Sequence, residues 1–345
     1  MKKSHSRVLL WAAAMCAVLT LASPLQAAAS KAADPTFAEA RNYAVGTDPS
    51  DVAASDFDGD GETDLAVAGR ESDDVSVLLN RGDGRFGKSV AYRVGRFPEG
   101  LAAADFDRDG DADLAVTNGD PEDASPMVSV LANRGDGTFG PPVDYRLNGG
   151  PVSLAAGDLD GDGDADLATA NPFSGDAAVL RNRGDGTFAK PVRYDVGRFP
   201  RDVAAADLNG DREADLVVAS GGNAGKVSVL RNTGNGSFRR AVAYPAGGAN
   251  PTSVVAARLN GDRRIDLAVD NFSNARVSVL TNLGKGEFGR PVGHKTGRFP
   301  TSVAAADLGG NRRPDLAVAN LGFSTVSVLI NTTRERPRRE GGPTE

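Results

Sequence analysis

The stretch Asp56-Phe57-Asp58-Gly59-Asp60-Gly61-Glu62-Thr63-Asp64-Leu65 decides the fold. It sets carboxylates at loop positions 1, 3, 5 and 9, with glycine at position 6. Alternate side chains on such a loop converge on one point while the glycine takes the sharp turn, which is the oxygen-ligand spacing of a calcium loop. The flanks are not those of a helix–loop–helix calcium site. Position 12 is Val67 and not a bidentate Glu, and the neighbours Val52-Ala53-Ala54 and Leu65-Ala66-Val67-Ala68 are short apolar runs. Two short strands around a tight acidic loop describe a calcium-binding β-hairpin.

The loop recurs. Its first position falls at Asp56, Asp105, Asp158 and Asp207, with Arg258 and Asp307 in the same register, at spacings of 49, 53, 49, 51 and 49 residues. Four other series keep step. A proline stands seven residues ahead of each (Pro49, Pro98, Pro151, Pro200, Pro251, Pro300), and a phenylalanine recurs at Phe37, Phe86, Phe139, Phe188, Phe238 and Phe288. Six residues beyond each Phe come Tyr43, Tyr92, Tyr145, Tyr194, Tyr244 and finally His294. Asn80, Asn133, Asn182, Asn232, Asn282 and Asn331 close an apolar run in every copy. A fixed period of this kind is the signature of a repeat architecture.

Within the first copy, turn chemistry separates four strands: 51–55, 65–68, 75–79 and 90–94. The first strand is alanine-rich throughout (Val203-Ala204-Ala205-Ala206, Val303-Ala304-Ala305-Ala306). Small residues suit an innermost strand crowded near a central axis. The expected fold is therefore all-β, a six-bladed β-propeller of four-stranded blades over residues 37–331. The last copy supplies only three strands, while 37–45 matches strand four. The N-terminal strand is expected to complete the last blade and close the ring.

The motifs Val-Ala-Ala-Ser-Asp-Phe-Asp-Gly-Asp-Gly-Glu-Thr-Asp-Leu-Ala-Val-Ala (52–68) and Asn-Arg-Gly-Asp-Gly-Arg-Phe-Gly (80–87) resemble the FG-GAP/VCBS repeats of integrin alpha-subunit propellers and of many secreted bacterial proteins. The resemblance implies a propeller, and it leaves function open, because such propellers serve adhesion, lectin-like binding and enzyme scaffolding alike. The Gly-Ala-Pro element of the integrin type is absent after strand two, which favours the bacterial branch.

Ligand chemistry ranks the loops. The first offers Asp56, Asp58, Asp60 and Asp64, the second Asp105, Asp107, Asp109 and Asp113, and the third Asp158, Asp160, Asp162 and Asp166; Glu62, Asp111 and Asp164 are expected to add their carbonyls. The fourth has Asp207, Asn209, Asp211 and Asp215, but Arg212 replaces the turn glycine, at a cost of ~1 kcal/mol if φ is positive. In the fifth, Arg258 replaces the first carboxylate and is expected to place its guanidinium among Asp262 and Asp266; in the sixth only Asp307 and Asp315 are charged. Three calcium sites are expected, with a weaker fourth. Asx turns alone explain loops five and six, but four close carboxylates repel without a cation.

The other ends of the strands carry a second pattern. Blades two, four and six begin with Arg96-Phe97, Arg198-Phe199 and Arg298-Phe299; blades one, three and five have Thr47-Asp48, Gly149-Gly150 and Ala249-Asn250. Asn118, Asn171, Asn271 and Asn320 begin neighbouring loops, with Phe173, Phe272 and Phe323 close behind, and the insertion 119–126 enters the same face. Aromatic faces with Arg and Asn donors suit a glycan or an acidic ligand. The Arg-Gly-Asp tripeptides at 81–83, 134–136 and 183–185 are explained by the hairpin turn, since their sister copies read Thr-Gly-Asn and Leu-Gly-Lys.

Lys2, Lys3 and Arg7 precede an apolar run from Val8 to Ala22 and the small residues Ala27-Ala28-Ala29, the pattern of a secretory signal cleaved near Ala29. Residues 30–36 read as a linker and 332–345 as a disordered tail. Without the leader the chain has no cysteine and no tryptophan, so disulfides cannot hold it. It then carries 36 basic against 46 acidic residues, a balance of −10, which speaks against nucleic acid or an anionic membrane as partner. His294 is the only histidine left and sits at a structural position; no Gly-x-Ser-x-Gly elbow or phosphate loop occurs. The expectation is a secreted or cell-envelope, monomeric, non-catalytic binding module for a glycan or extracellular protein. A polysaccharide lyase or hydrolase on the same scaffold is the alternative.

Overall fold

The computed structural model describes residues 41–82, 85–119, 126–147, 149–322 and 325–333. The leader, the linker, the Phe37 end of the N-terminal strand, nearly all of the tail, the tip of the 119–126 insertion and Phe323 lie outside the described residues. No helix among the described residues is long and apolar enough to cross a membrane.

Six antiparallel sheets follow one another, each with its strands in chain order. Blade 1 consists of Pro49–Ser55, Asp64–Gly69, Asp74–Leu78 and Val90–Arg93. Blades 2 to 5 repeat this plan, and the first strands of all six line a central channel of about 410 Å³. The sequence period thus becomes a six-bladed propeller. Second strands are covered by neighbours on both sides and are buried along their whole length in blades 2 to 5. They accordingly read as near-continuous apolar runs instead of alternating ones.

Hydrophobic clusters sit between blades, one at each junction from 1–2 to 5–6. The Phe series fills their outer ends. Tyr92 meets Phe139 edge-on at 5.4 Å, and Tyr145–Phe188, Tyr194–Phe238 and Tyr244–Phe288 repeat the contact from one blade to the next. The Asn series has a role that its spacing did not disclose. Asn133 Nδ2 donates to the Phe57 carbonyl of the preceding blade and to Ala112 of its own. Asn182, Asn232, Asn282 and Asn331 make the same pair of bonds. Each of these amides therefore staples two sectors.

The expected closure is not seen among the described residues. Blade 6 consists of Arg298–Ala306, Asp315–Gly322 and Thr325–Leu329, and residues 41–45 pair with no strand. Val326 and Val328 of its third strand are 65% and 55% exposed, where the corresponding Val227 and Val229 of blade 4 are 0% and 1%. Asn80 donates to Thr63 of its own blade and not to Leu308 of blade 6. No buried cluster among the described residues spans blades 6 and 1. The docking of Tyr43 on Phe86 (5.4 Å) reproduces the junction geometry of the other blades, and Gly46 N–H donates to Ser76 Oγ as Gly297 N–H does to Ser327 Oγ.

Candidate metal centres and the opposite face

The acidic loops join strands one and two. Strand alternation sets them at the same end of the propeller as the turns that follow each Asn. The contacts agree: Gly186 N–H donates to the Phe106 carbonyl of the preceding loop. Two backbone positions make the loop. Position 4 is left-handed at Gly59, Gly161, Gly210, Gly261 and Gly310, and position 6 at Gly61, Gly110 and Gly163. Arg212, Arg263 and Arg312 occupy position 6 at φ 75°, 70° and 62°, so the strain expected at Arg212 is present and recurs in the two loops after it.

The first three loops each bring three carboxylates together: Asp56, Asp58 and Asp64; Asp105, Asp107 and Asp113; Asp158, Asp160 and Asp166. One oxygen from each lies within 4.8 Å of the others, so all three groups could hold a metal ion. Three hard carboxylate oxygens with no nitrogen or sulfur donor fit an alkaline-earth ion better than a transition metal.

The other expected side-chain ligands stand outside these triads. Asp60, Asp109 and Asp162 turn back on the loop and accept the N–H two residues on, at 2.8, 2.9 and 2.9 Å. Asp111 and Asp164 lean toward the glycines of the adjacent turn, Gly135 and Gly184, and Glu62 stands close to Gly82. In loop four the third position is Asn209, whose Nδ2 donates to Asp211 Oδ2, so Asp207 and Asp215 are the carboxylates at positions 1 and 9. In loop five the guanidinium that reaches Asp262 belongs to Arg264 (3.6 Å), while Arg258 is exposed. That expectation is corrected: the register put a cation in the loop, but from the wrong residue.

Position 9 has a second duty. Asp64 Oδ2 accepts the Phe57 N–H and Oδ1 the Asn80 N–H. The same pair of bonds recurs through Asp315 Oδ2 and Oδ1, to Leu308 and Asn331, in a loop with almost no other acid. The carboxylate therefore anchors the hairpin whether or not a metal is near. Burial raises the Asp64 pKa, and lifts Asp113 to about 6 and Asp166 to about 7; the backbone N–H bonds oppose the shift, and the neighbouring loop aspartates add to it.

Sequence reasoning missed Arg108. It takes the left-handed position 4 that glycine fills in the other five loops, with φ 66°. Its guanidinium crosses to loop three, where it pairs with Asp164 and donates to the Asp162 carbonyl (3.0 Å). The one available signal was an arginine at a glycine register.

At the other end of the strands, Arg96, Arg198 and Arg298 each lie over the ring of the following phenylalanine, with the guanidinium carbon 5.4–5.5 Å from the ring centroid. Phe199 and Phe299 are 46% and 39% exposed, and Phe97 is half-buried. Phe299 also stacks on Phe272 at 5.1 Å. The neighbouring asparagines are buried and internal: Asn118, Asn271 and Asn320 donate to Ser129, Ser278 and Ser327, and Asn171 to Asp176. They are not offered to a ligand.

A propeller whose hairpins carry acidic turns is the class this geometry defines. The FG-GAP-like repeat model matches residues 56–116, 117–169, 162–218 and 207–269, more than half of the sequence. The chain belongs to the FG-GAP-like repeat family. A search of curated protein sequences finds no significant match. Among solved structures, an Agrocybe aegerita lectin that recognises non-reducing terminal N-acetylglucosamine is 22% identical, with 81% of this chain and 80% of that one covered and a TM-score of 0.52. Virginiamycin B lyase from Staphylococcus aureus is 15% identical over 85% of both chains, with a TM-score of 0.55. The α-L-arabinofuranosidase of Fusarium graminearum is 13% identical over 81% of this chain and 91% of that one, at 0.51. These likenesses establish the fold; they include a sugar-binding protein and two enzymes, so the fold by itself favours neither role.

Proposed function

We propose that this chain is a secreted, calcium-stabilised propeller that acts as a non-catalytic binding module, taking a glycan or extracellular protein on the face opposite its acidic loops. The observation that carries the reading is the division of labour between the two faces. One face gathers three carboxylate triads at the hairpin turns. The other presents Arg–Phe pairs at half of its blade entries.

Asp56, Asp58 and Asp64 and their counterparts in loops two and three would hold the ion, which supplies positive charge that cross-links the turn. With a dissociation constant of ~0.1 mM and free calcium of ~2 mM, each site adds about 1.8 kcal/mol to folding stability. Three such sites rival the stability margin of a whole domain. The stabilisation fits a chain that, after loss of its leader, would have no cysteine.

The enzyme alternative draws on one feature. Asp51 faces the channel from blade 1, and Asp270 packs beneath the blade 5 entry; burial raises both carboxyls to about 6. Both are already engaged by backbone N–H groups, Asp51 with Leu101 and Asp270 with Thr252 and Ser253, which suits structure better than proton transfer. A glycan array run beside a polysaccharide-degradation screen separates the readings. Calcium-dependent binding without turnover supports the module; turnover abolished by Asp51→Asn supports the enzyme.

A further inference from the structure

We infer that the recess beside Arg198 and Phe199 on blade 4 binds an anionic sugar, one bearing a carboxylate or a sulfate ester; the inference deepens the binding-module reading above and rests on it. It begins with a backbone constraint. The six blade-entry positions are Asp48, Phe97, Gly150, Phe199, Asn250 and Phe299, and their φ angles are 54°, 52°, 58°, 55°, 53° and 54°. Every blade therefore demands a left-handed residue here. Blades 1, 3 and 5 use Asp, Gly and Asn, the residue types that accept this conformation most readily. Blades 2, 4 and 6 put a bulky aromatic in the same place, where it is a genuine outlier.

Such outliers persist where the side chain does something a relaxed residue cannot. Burial does not supply the compensation at Phe199, whose side chain is nearly half exposed at 46%. Nor does another ring: Phe299 stacks on Phe272, but Phe199 has no aromatic partner among the described residues. What accompanies Phe199 is charge. Arg198 lies against its ring at 5.5 Å, and Lys226 lines the same recess of about 550 Å³, a size within the ~300–1,000 Å³ of small-ligand sites. Ser220 and Asn223 add a hydroxyl and an amide, and no carboxylate lines the space. Lys226 holds the strand position that Asp176 holds in blade 3, where that aspartate is paired with Arg193. In blade 4 the cation faces Pro245 across the strands, and no ion pair is formed by either Arg198 or Lys226 among the described residues.

The chemistry selects the ligand. An exposed aromatic face, negative at its centre, suits the polarised C–H face of a pyranose. Two cations with no ion-pair partner among the described residues ask for an anion, and a guanidinium takes a carboxylate or sulfate in bidentate fashion. A bare inorganic anion would leave the ring unused; a neutral sugar would leave the cations unused.

The test is calorimetric titration of the calcium-loaded chain from residue 30 onward with tetragalacturonate, a sulfated carrageenan tetrasaccharide, cellotetraose and tetraglutamate. The expected result is binding of one or both anionic sugars at least tenfold tighter than cellotetraose or the peptide, weakening as NaCl is raised. Arg198→Ala and Phe199→Asn should each cost tenfold or more in affinity. Phe199→Asn carries its own control: because Asn250 occupies this same backbone, the variant should melt at the wild-type temperature or above it. Equal affinity for tetraglutamate would overturn the sugar assignment, and wild-type affinity in Phe199→Asn would overturn the site. Binding of cellotetraose alone would overturn the anionic inference and leave the binding-module reading intact. Cleavage of tetragalacturonate would instead contradict that reading itself.

Discussion

Tyr43 meets Phe86 edge-on, with ring centroids 5.4 Å apart and planes at 82°, as Tyr92 meets Phe139 at 5.4 Å and 77°. Tyr92 belongs to the fourth strand of blade 1 and Phe139 to blade 2. By the same relation, Tyr43 stands where the fourth strand of blade 6 should stand against blade 1. The segment has reached one side of its berth, and its pairing with Thr325–Leu329 is the side not formed.

In blade 1, Val75 and Ser76 pair with Tyr92 and Ala91. The repeat register carries this to Val326 and Ser327 opposite Tyr43 and Asn42. A double variant, Asn42→Cys with Ser327→Cys, is expected to oxidise to an intramolecular disulfide and raise the melting temperature. Free thiols persisting under mild oxidant, read by mass spectrometry, would show that this strand does not close the ring.

The asparagine staples make a graded prediction. Asn182 bridges blades 2 and 3 through two carbonyls, whereas Asn80 reaches only its own blade. Leaving a buried hydrogen-bonding group without its partner costs about 1–3 kcal/mol. Asn182→Ala should therefore lose roughly 2–3 kcal/mol in denaturant unfolding, and Asn80→Ala visibly less. Equal losses would mean that the cross-blade bond contributes little.

Much of this fold was legible because the repeat states it six times. Prolines, acidic turns, aromatics and asparagines recur in one register, and each series fell on the same structural element in successive blades. The site was legible only in part. Positions 1, 3 and 9 converge as the loop spacing requires, but Asp60, Asp109 and Asp162 turn to backbone N–H groups that a sequence pattern cannot place. Arg108 and the Asn staples act between blades, where partners come from a different copy of the repeat. The seam was legible only as a pattern: 37–45 matches strand four, and among the described residues 41–45 form no strand pairing.

Asp270 sets a pH dependence. Its carboxyl, raised by burial to about 6, accepts the N–H groups of Thr252 and Ser253 and the Thr252 hydroxyl. A folded-state pKa above the unfolded value near 3.9 means that the folded form holds the proton more tightly. The stabilisation is complete below pH ~4 and is lost as pH rises through about 6. Asp270→Asn keeps an acceptor and removes the ionisation. Its melting temperature should gain on wild type between pH 5 and pH 7.5 (roughly the range bracketing that titration). A constant difference across the range would refute the assignment.

Arg212 sits at φ 75°, a conformation glycine takes in loops one to three. Arg212→Gly should stabilise the fold by about 0.5–1 kcal/mol, net of the added unfolded-state freedom. Denaturant midpoints of the two proteins decide it; a less stable variant would mean that the arginine side chain holds the loop.

Metal at the three carboxylate triads underlies the proposed stability of the propeller. Calcium titration of the chelator-treated chain from residue 30 onward, followed by calorimetric melting, tests it directly. Uptake of three ions and a rise in melting temperature reversed by EDTA are expected, with Asp56→Asn, Asp105→Asn and Asp158→Asn each removing one ion. No uptake, with identical melting in calcium and in EDTA, would contradict the account.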